Sequence, residues 1–364
     1  MTVKHFGPIR EADVTLGPLT VFIGPNNAGK SYMALLLYAL LGLFGRPAPR
    51  FFPLRSWRQP MFRSHIPELS DDVKNELDQV LQAKNALARA LQPKNEVVFD
   101  DLPGPVRDAV GRDFEERCGL LSSHLGSEIQ RCFGSELGAL ISQNRHSRFK
   151  LTIESTHPRL RITFGLKSNK LVIQENDYSF SGVTFQIAGL HDAPPDYRFS
   201  ILLDFLAEQY FHDFLEIPYY FPAARSGILQ SHRALAGAMV SRSPLVGIEP
   251  TEIPRLTGVV ADFISNLLTL EARRPRDKAF LEIADFLEVH LSRGKIDVEL
   301  PKSGDGYPEM IYEADGNRFP MHRTSSMVSE IAPIVLFLKY VIGKNDLLMI
   351  EEPEAHLHPE NQRE

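Results

Sequence analysis

Eight residues near the start of the chain constrain it most: Gly24-Pro25-Asn26-Asn27-Ala28-Gly29-Lys30-Ser31. They fit the spacing G-x-x-x-x-G-K-[ST]. They also stand between an apolar run, Leu19 to Ile23, that predicts a strand, and a run of helix formers, Ser31 to Phe44, that predicts a buried helix. Glycines let a backbone curl around an anion, while successive N–H groups and the helix N-terminus point at it. Lys30 adds a full positive charge, and the Ser31 hydroxyl suits a divalent cation. All eight positions are therefore expected to hold nucleotide phosphates, with Mg²⁺ at Ser31. Lys30 also counts as catalytic.

A second pattern lies near the other end. Leu347-Leu348-Met349-Ile350 reads as a buried parallel strand that delivers Glu351 and Glu352 to its C-terminal end. Paired carboxylates at that place suit a Walker B arrangement, with Glu351 at Mg²⁺ and Glu352 orienting or deprotonating an attacking water. A buried strand running into a solvated acidic loop is the plainer reading of this segment alone; beside the P-loop, the chemical one is preferred.

Composition narrows the class. Across 364 residues, 43% are hydrophobic and 24% charged, as in ordinary globular proteins. The net charge of −6 argues against a general nucleic-acid coat. Cys118 and Cys132 are the two cysteines and lack the spacing of a metal site, so a reduced, cytoplasmic protein is expected. The apolar run Tyr32 to Phe44 is shorter than the roughly 18 to 20 residues a bilayer requires, and no signal peptide opens the chain, so no membrane association is expected.

Between the two motifs the chain changes character. Thr2 to Phe6 and Ala12 to Leu16 read as short strands around Gly7-Pro8. Asp71 to Ala90 and Val106 to Ser142 predict amphipathic helices, while LTIES, LRITF, KLVIQ and VTFQI, between Phe149 and Ile187, predict an antiparallel meander. A helix over Tyr197 to Leu215, a buried strand over Ile217 to Phe221 and helices near 229–240, 251–271 and 277–292 follow. Strands Ile296 to Leu300 and Glu309 to Glu313 precede a serine-rich turn and a helix from Ser329 to Val341. The expected divisions are 1–44 with the P-loop, 45–148 as a helical insertion, and 149–364 as the remainder.

Taken together, FIGPNNAGKS (22–31), YFPAARSG (220–227), TSSMVSEIAPIVLFLKY (324–340) and IEEPEAHLHPENQ (350–362) resemble the OLD, RecF and SMC group of ABC-type ATPase heads. That resemblance implies an α/β P-loop NTPase with a mixed sheet and a helical insertion, using ATP and Mg²⁺. It further implies that two heads dimerise around ATP, with Ser325, Ser326 and Ser329 of one subunit closing on the γ-phosphate held by the other. A helix N-terminus suits that contact; a helix cap is the plainer reading of the same serines.

The sequence departs from the group in having Glu351 where Asp is usual, in a shortened first strand, and in ending at Glu364, ahead of a further strand and a histidine that the resemblance places at the γ-phosphate. Two roles compete. One is anti-phage defence or DNA repair, with ATP gating a nuclease or effector and DNA contacted directly; the other is a regulatory switch that recruits a protein partner. Arg46, Arg50, Arg55, Arg58 and Arg63, interleaved with Phe51, Phe52, Trp57 and Phe62, suit either a nucleic-acid backbone or a covering for buried aromatics. Arg225 suits the nucleotide, a dimer partner or an internal ion pair. His356 and His358 are read as shaping a loop.

Overall fold

The computed structural model describes residues 1–43, 96–141, 148–156, 159–186, 217–231, 256–270, 277–299 and 308–360, with scattered positions between them. The arginine and aromatic stretch from 46 to 63, most of 71–90 and most of 197–215 lie outside the described residues. Two compact units are present: Met1–Met33, Ala39–Gln130 and Ser135–Leu215 form the first, and Ala34–Tyr38, Arg131–Gly134 and Glu216–Glu364 the second. Among the described residues, no helix is long and apolar enough to cross a membrane.

The first unit opens with β1 (Thr2–Phe6) and β2 (Ile9–Asp13), then the two ends of α1 (Lys30–Leu41), whose residues Ala34–Tyr38 belong to the second unit. It continues through β3 (Glu96–Val98), α2 (Gly104–Phe133), the short α3 (Leu137–Leu140), β4 (Lys150–Thr156), β5 (Arg159–Lys167), β6 (Lys170–Tyr178) and β7 (Thr184–Gln186). Five strands form one antiparallel sheet in the order β2-β1-β4-β5-β6. Alternation explains its inner face, because Leu160 and Ile162 are buried while Arg159 and Arg161 are exposed. Register is set by apolar and polar cross-strand pairs alike; Thr152 opposes Thr163 with buried hydroxyls 3.1 Å apart. On α2 the buried residues Val106, Val110, Phe114, Cys118, Leu121, Leu125 and Ile129 recur at three- and four-residue intervals, so one stripe of the helix faces the core. Phe114 meets Tyr178 of β6 with ring centroids 4.6 Å apart, which seats this stripe on the sheet.

Two expectations are corrected here. Leu19 to Ile23 is not a strand: among the described residues it enters no ladder, the Gly17 N–H donates to Thr20 Oγ1 in a local turn, and Leu19, Val21 and Ile23 are 84%, 67% and 88% exposed. Apolar alternation specifies a strand only when a neighbour supplies the ladder. The fourth run of the expected meander also departs, since β7 pairs with β3 and not with β6.

The second unit carries β8 (Pro218–Phe221), α4 (Gly258–Leu268), α5 (Lys278–Leu287), β9 (Lys295–Glu299), β10 (Glu309–Ala314), β11 (Asn317–Pro320), α6 (Ser326–Tyr340) and β12 (Leu347–Ile350). β12 runs parallel to β8, pairing Leu347 with Pro218 through to Ile350 with Phe221. The other three strands form an antiparallel sheet in the order β11-β10-β9. The expected single mixed sheet therefore resolves, among the described residues, into separate antiparallel and parallel ladders. Phe221, Phe263 and Phe337 centre the core, with the Phe221 and Phe337 rings 4.8 Å apart. Lys339 ties α6 to β9, donating to Glu288 Oε1 at 2.7 Å and to the Ile296 carbonyl at 2.8 Å.

Candidate nucleotide site

The glycine-rich loop meets its sequence expectation at one end, where a helix opens at Lys30; the strand expected ahead of it is not formed. Helix α1 begins at Lys30, and its first described i to i−4 bond runs from the Met33 N–H to the Gly29 carbonyl at 2.9 Å. The N–H groups of Lys30, Ser31 and Tyr32 precede that bond, at the positively polarised end of the helix. Gly29 adopts φ 98°, and a Cβ there would lie 2.7 Å from Ile9 Cγ1, so both backbone sign and packing demand glycine. Asn27 also takes a left-handed conformation, φ 62°, in the tight turn where the Ala28 N–H donates to the Pro25 carbonyl at 3.3 Å. Asparagine tolerates that region better than most side chains.

The β1–β2 turn braces the helix. A Cβ on Gly7, φ 52°, would fall 2.3 Å from Tyr32 Cε1, and Phe6 packs edge-on against Tyr32 at 5.8 Å. Lys30 Nζ donates to the carbonyls of Gly24 at 2.8 Å and Pro25 at 3.0 Å, which holds the ammonium over the loop's opening residues. Ser31 is exposed. Ammonium, hydroxyl and helix-end N–H groups in one loop fit the donor set of a polyphosphate with its cation.

In the second unit, β12 delivers Glu351 and Glu352 as the spacing predicts. The Glu351 N–H still donates to the Phe221 carbonyl at 3.0 Å, so the ladder carries through the first carboxylate. Its Oε2 accepts from the Ala223 N–H at 3.3 Å, and burial together with this carboxylate pushes the Tyr220 phenol well up from its ordinary value. The ladder ends at Glu352, which takes φ 43°, turns the chain sharply and leaves its side chain exposed. A left-handed glutamate is uncommon and carries strain. Its carbonyl accepts from the Ala355 N–H at 2.9 Å to close the turn. His356 and His358 lie in the exposed loop that follows.

The three serines separate by role. Ser325 is the N-cap of α6, its Oγ accepting from the Val328 N–H at 3.3 Å, and Ser326 is exposed in the first turn. Ser329 is fully buried; Gln230 donates to its Oγ at 3.2 Å, and the Thr324 hydroxyl lies 3.1 Å away. The helical period thus turns Ser329 inward, while Ser325 and Ser326 form the outer surface of the turn.

Arg225 is buried rather than presented to a ligand, with 1% of its surface exposed. Nη1 donates to the Glu351 carbonyl at 2.6 Å, Nη2 to the Glu352 carbonyl at 3.1 Å, and Nε to the Glu330 carbonyl at 3.2 Å. Nη2 also lies 2.8 Å from Glu330 Oε1, whose residue is equally buried. Burial pulls the guanidinium below its ordinary value, while Glu330, Glu352, Glu351 and Glu354 hold its charge in place. Sequence reasoning missed Glu330. The available signal is a single acid between Val328, Ser329, Ile331 and Ala332, where the helical period puts a core position.

Residues 257–364 match the family model of the AAA ATPase domain. Neither curated proteins nor solved structures give a match to the chain. The AAA ATPase-domain match starts at Thr257, the N-cap of α4, and takes in the serine turn, Glu330, Glu351 and Glu352. It supports an ATPase reading of the carboxylate end. The P-loop and Arg225 lie outside the AAA ATPase-domain match and stand on their own geometry.

Proposed function

We propose that the chain binds ATP with Mg²⁺ and hydrolyses it to ADP and phosphate, as an ABC-type ATPase head. The observation that carries this reading is the loop from Gly24 to Ser31, with Lys30 at the start of α1 and glycine obligatory at position 29. The similarity of residues 257–364 to an AAA ATPase domain supports the hydrolytic half. In this reading the loop N–H groups and Lys30 hold the β and γ phosphates, and Ser31 and Glu351 hold the metal. When bound, Mg²⁺ neutralises phosphate charge. Glu352 orients the attacking water and takes its proton. Its exposed carboxylate at the strand end suits that task.

Two copies then close head to tail around ATP, with Ser325 and Ser326 at the α6 N-terminus facing the partner's nucleotide. ATP-driven closure gates a nuclease or effector in anti-phage defence or DNA repair; recruitment of a protein partner without nucleic acid is the competing role. Lys30→Ala is expected to abolish binding of a fluorescent ATP analogue. Glu352→Gln is expected to keep binding, lose about 100-fold or more in turnover, and elute as a dimer when ATP is present. Undiminished turnover in Glu352→Gln overturns the assignment. DNA binding that weakens as salt rises supports the first role, and its absence at low salt removes it.

A further inference from the structure

Arg225 touches five backbone or side-chain groups at once: the Pro222 carbonyl in its own turn, and four at the hydrolytic end of the second unit. Its guanidinium donates to the carbonyls of Glu351 and Glu352 on one side; on the other it donates to the Glu330 carbonyl and forms an ion pair with the Glu330 carboxylate. Glu330 sits in the first turns of α6, immediately after the buried Ser329. The helical residues 225–231 that begin at Arg225 also carry Gln230, the donor to Ser329 Oγ at 3.2 Å. Residues 225–231 therefore grip both the acidic strand end and the serine-opened helix.

The grip falls where the backbone needs it. Glu352 holds a left-handed conformation that a glutamate leaves readily unless its surroundings determine it. Its carbonyl receives two donors, the Ala355 N–H at 2.9 Å and Arg225 Nη2 at 3.1 Å. A planar fork whose two terminal nitrogens reach neighbouring carbonyls fixes the peptide plane between them, a task a point-charged ammonium does less well.

We infer that Arg225 is a positioning residue: through its paired contacts with Glu351, Glu352 and Glu330, it locks the turn that aims the Glu352 carboxylate and makes that aim follow the position of α6. The inference rests on the ATPase reading for its catalytic consequence, and on the clamp geometry alone for its conformational one.

The test separates positioning from mere stability. Removing one member of a buried pair strands the other, whereas replacing both by apolar side chains of similar volume commonly restores stability. Arg225→Met combined with Glu330→Leu is therefore compared with the wild-type chain. In the nucleotide-free double variant, amide exchange over 351–355 is expected to accelerate while residues 335–338 of α6 stay protected. The KM for ATP is expected to stay within about twofold and kcat to fall by about 100-fold, the usual cost of a misplaced reacting group. Arg225→Lys, which keeps the charge near Glu330 without the fork, is expected to show the same kcat loss should the double variant fail to fold. Wild-type protection over 351–355, or wild-type kcat, in whichever variant folds overturns the clamp. Retained turnover in Glu352→Gln overturns the ATPase reading instead, and the exchange measurement still decides the clamp.

Discussion

Position 29 shows how little latitude the loop has. Its φ of 98° and the 2.7 Å approach of Ile9 Cγ1 penalise any side chain twice, once through backbone strain and once through overlap with the β1–β2 turn. Gly29→Ala is expected to lower stability by about 1–3 kcal/mol, read as a drop in urea midpoint, and to weaken nucleotide binding more than a substitution at exposed Asn26. Glu352 is the converse case, a side chain where glycine is the easier choice. Keeping glutamate at φ 43° follows if the carboxylate is used, since Glu352→Gly relieves the strain but removes the acid. The same logic places Arg225: an arginine with 1% exposure is costly unless each donor finds an acceptor, and Glu330, Glu351, Glu352 and Pro222 supply them.

Helix α6 gathers most of the second unit's logic into one element. Ser325 caps it, Ser329 and Glu330 face inward, and Lys339 near its far end reaches Glu288 and β9. Ser325→Ala is expected to cost about 1 kcal/mol, measured by denaturant unfolding, whereas Ser326→Ala, at an exposed position, is expected to leave stability within about 0.5 kcal/mol. Elements of this kind were legible from the amino-acid order: the four residues of β12, the helix after the glycine-lysine loop and the body of α6 each depend on local pattern, although α6 begins at Ser326, about one turn ahead of the expected Ser329. What was not legible depends on distant partners. Leu19, Val21 and Ile23 alternate like a strand, yet pairing is a property of neighbours; β7 chooses β3 across the length of α2, which no local period records. The inward turn of Ser329 and the burial of Arg225 were ambiguous because a serine and an arginine are at home on either face until packing decides.

At the scale of the molecule, each unit carries its own core and its own share of the proposed chemistry, so the two halves answer to different probes. The first unit has a built-in alkaline limit. Burial, followed by the Glu115 carboxylate, pushes the Tyr178 phenol up to about 12, and burial pushes the neighbouring Cys118 thiol from 9.0 to about 12 despite a hydrogen bond with Asn176. Above about pH 9 the unfolded thiol loses its proton while the folded one keeps it, so stability is full below that point and declines as pH rises toward 12. Thermal unfolding followed from pH 7 to pH 11 is expected to show this decline, reduced in Cys118→Ala. The thiol itself is expected to resist alkylation in the native protein.

The irregular run before the P-loop has a practical consequence. Leu19, Val21 and Ile23 expose 84%, 67% and 88% of their surface, and they form a β-prone segment free to recruit a like segment from another molecule. Pro18 and Pro25 stand at its borders, where residues unable to donate a ladder hydrogen bond check the growth of an aggregate. Val21→Lys is accordingly expected to raise the concentration at which light scattering first appears, with nucleotide binding unchanged.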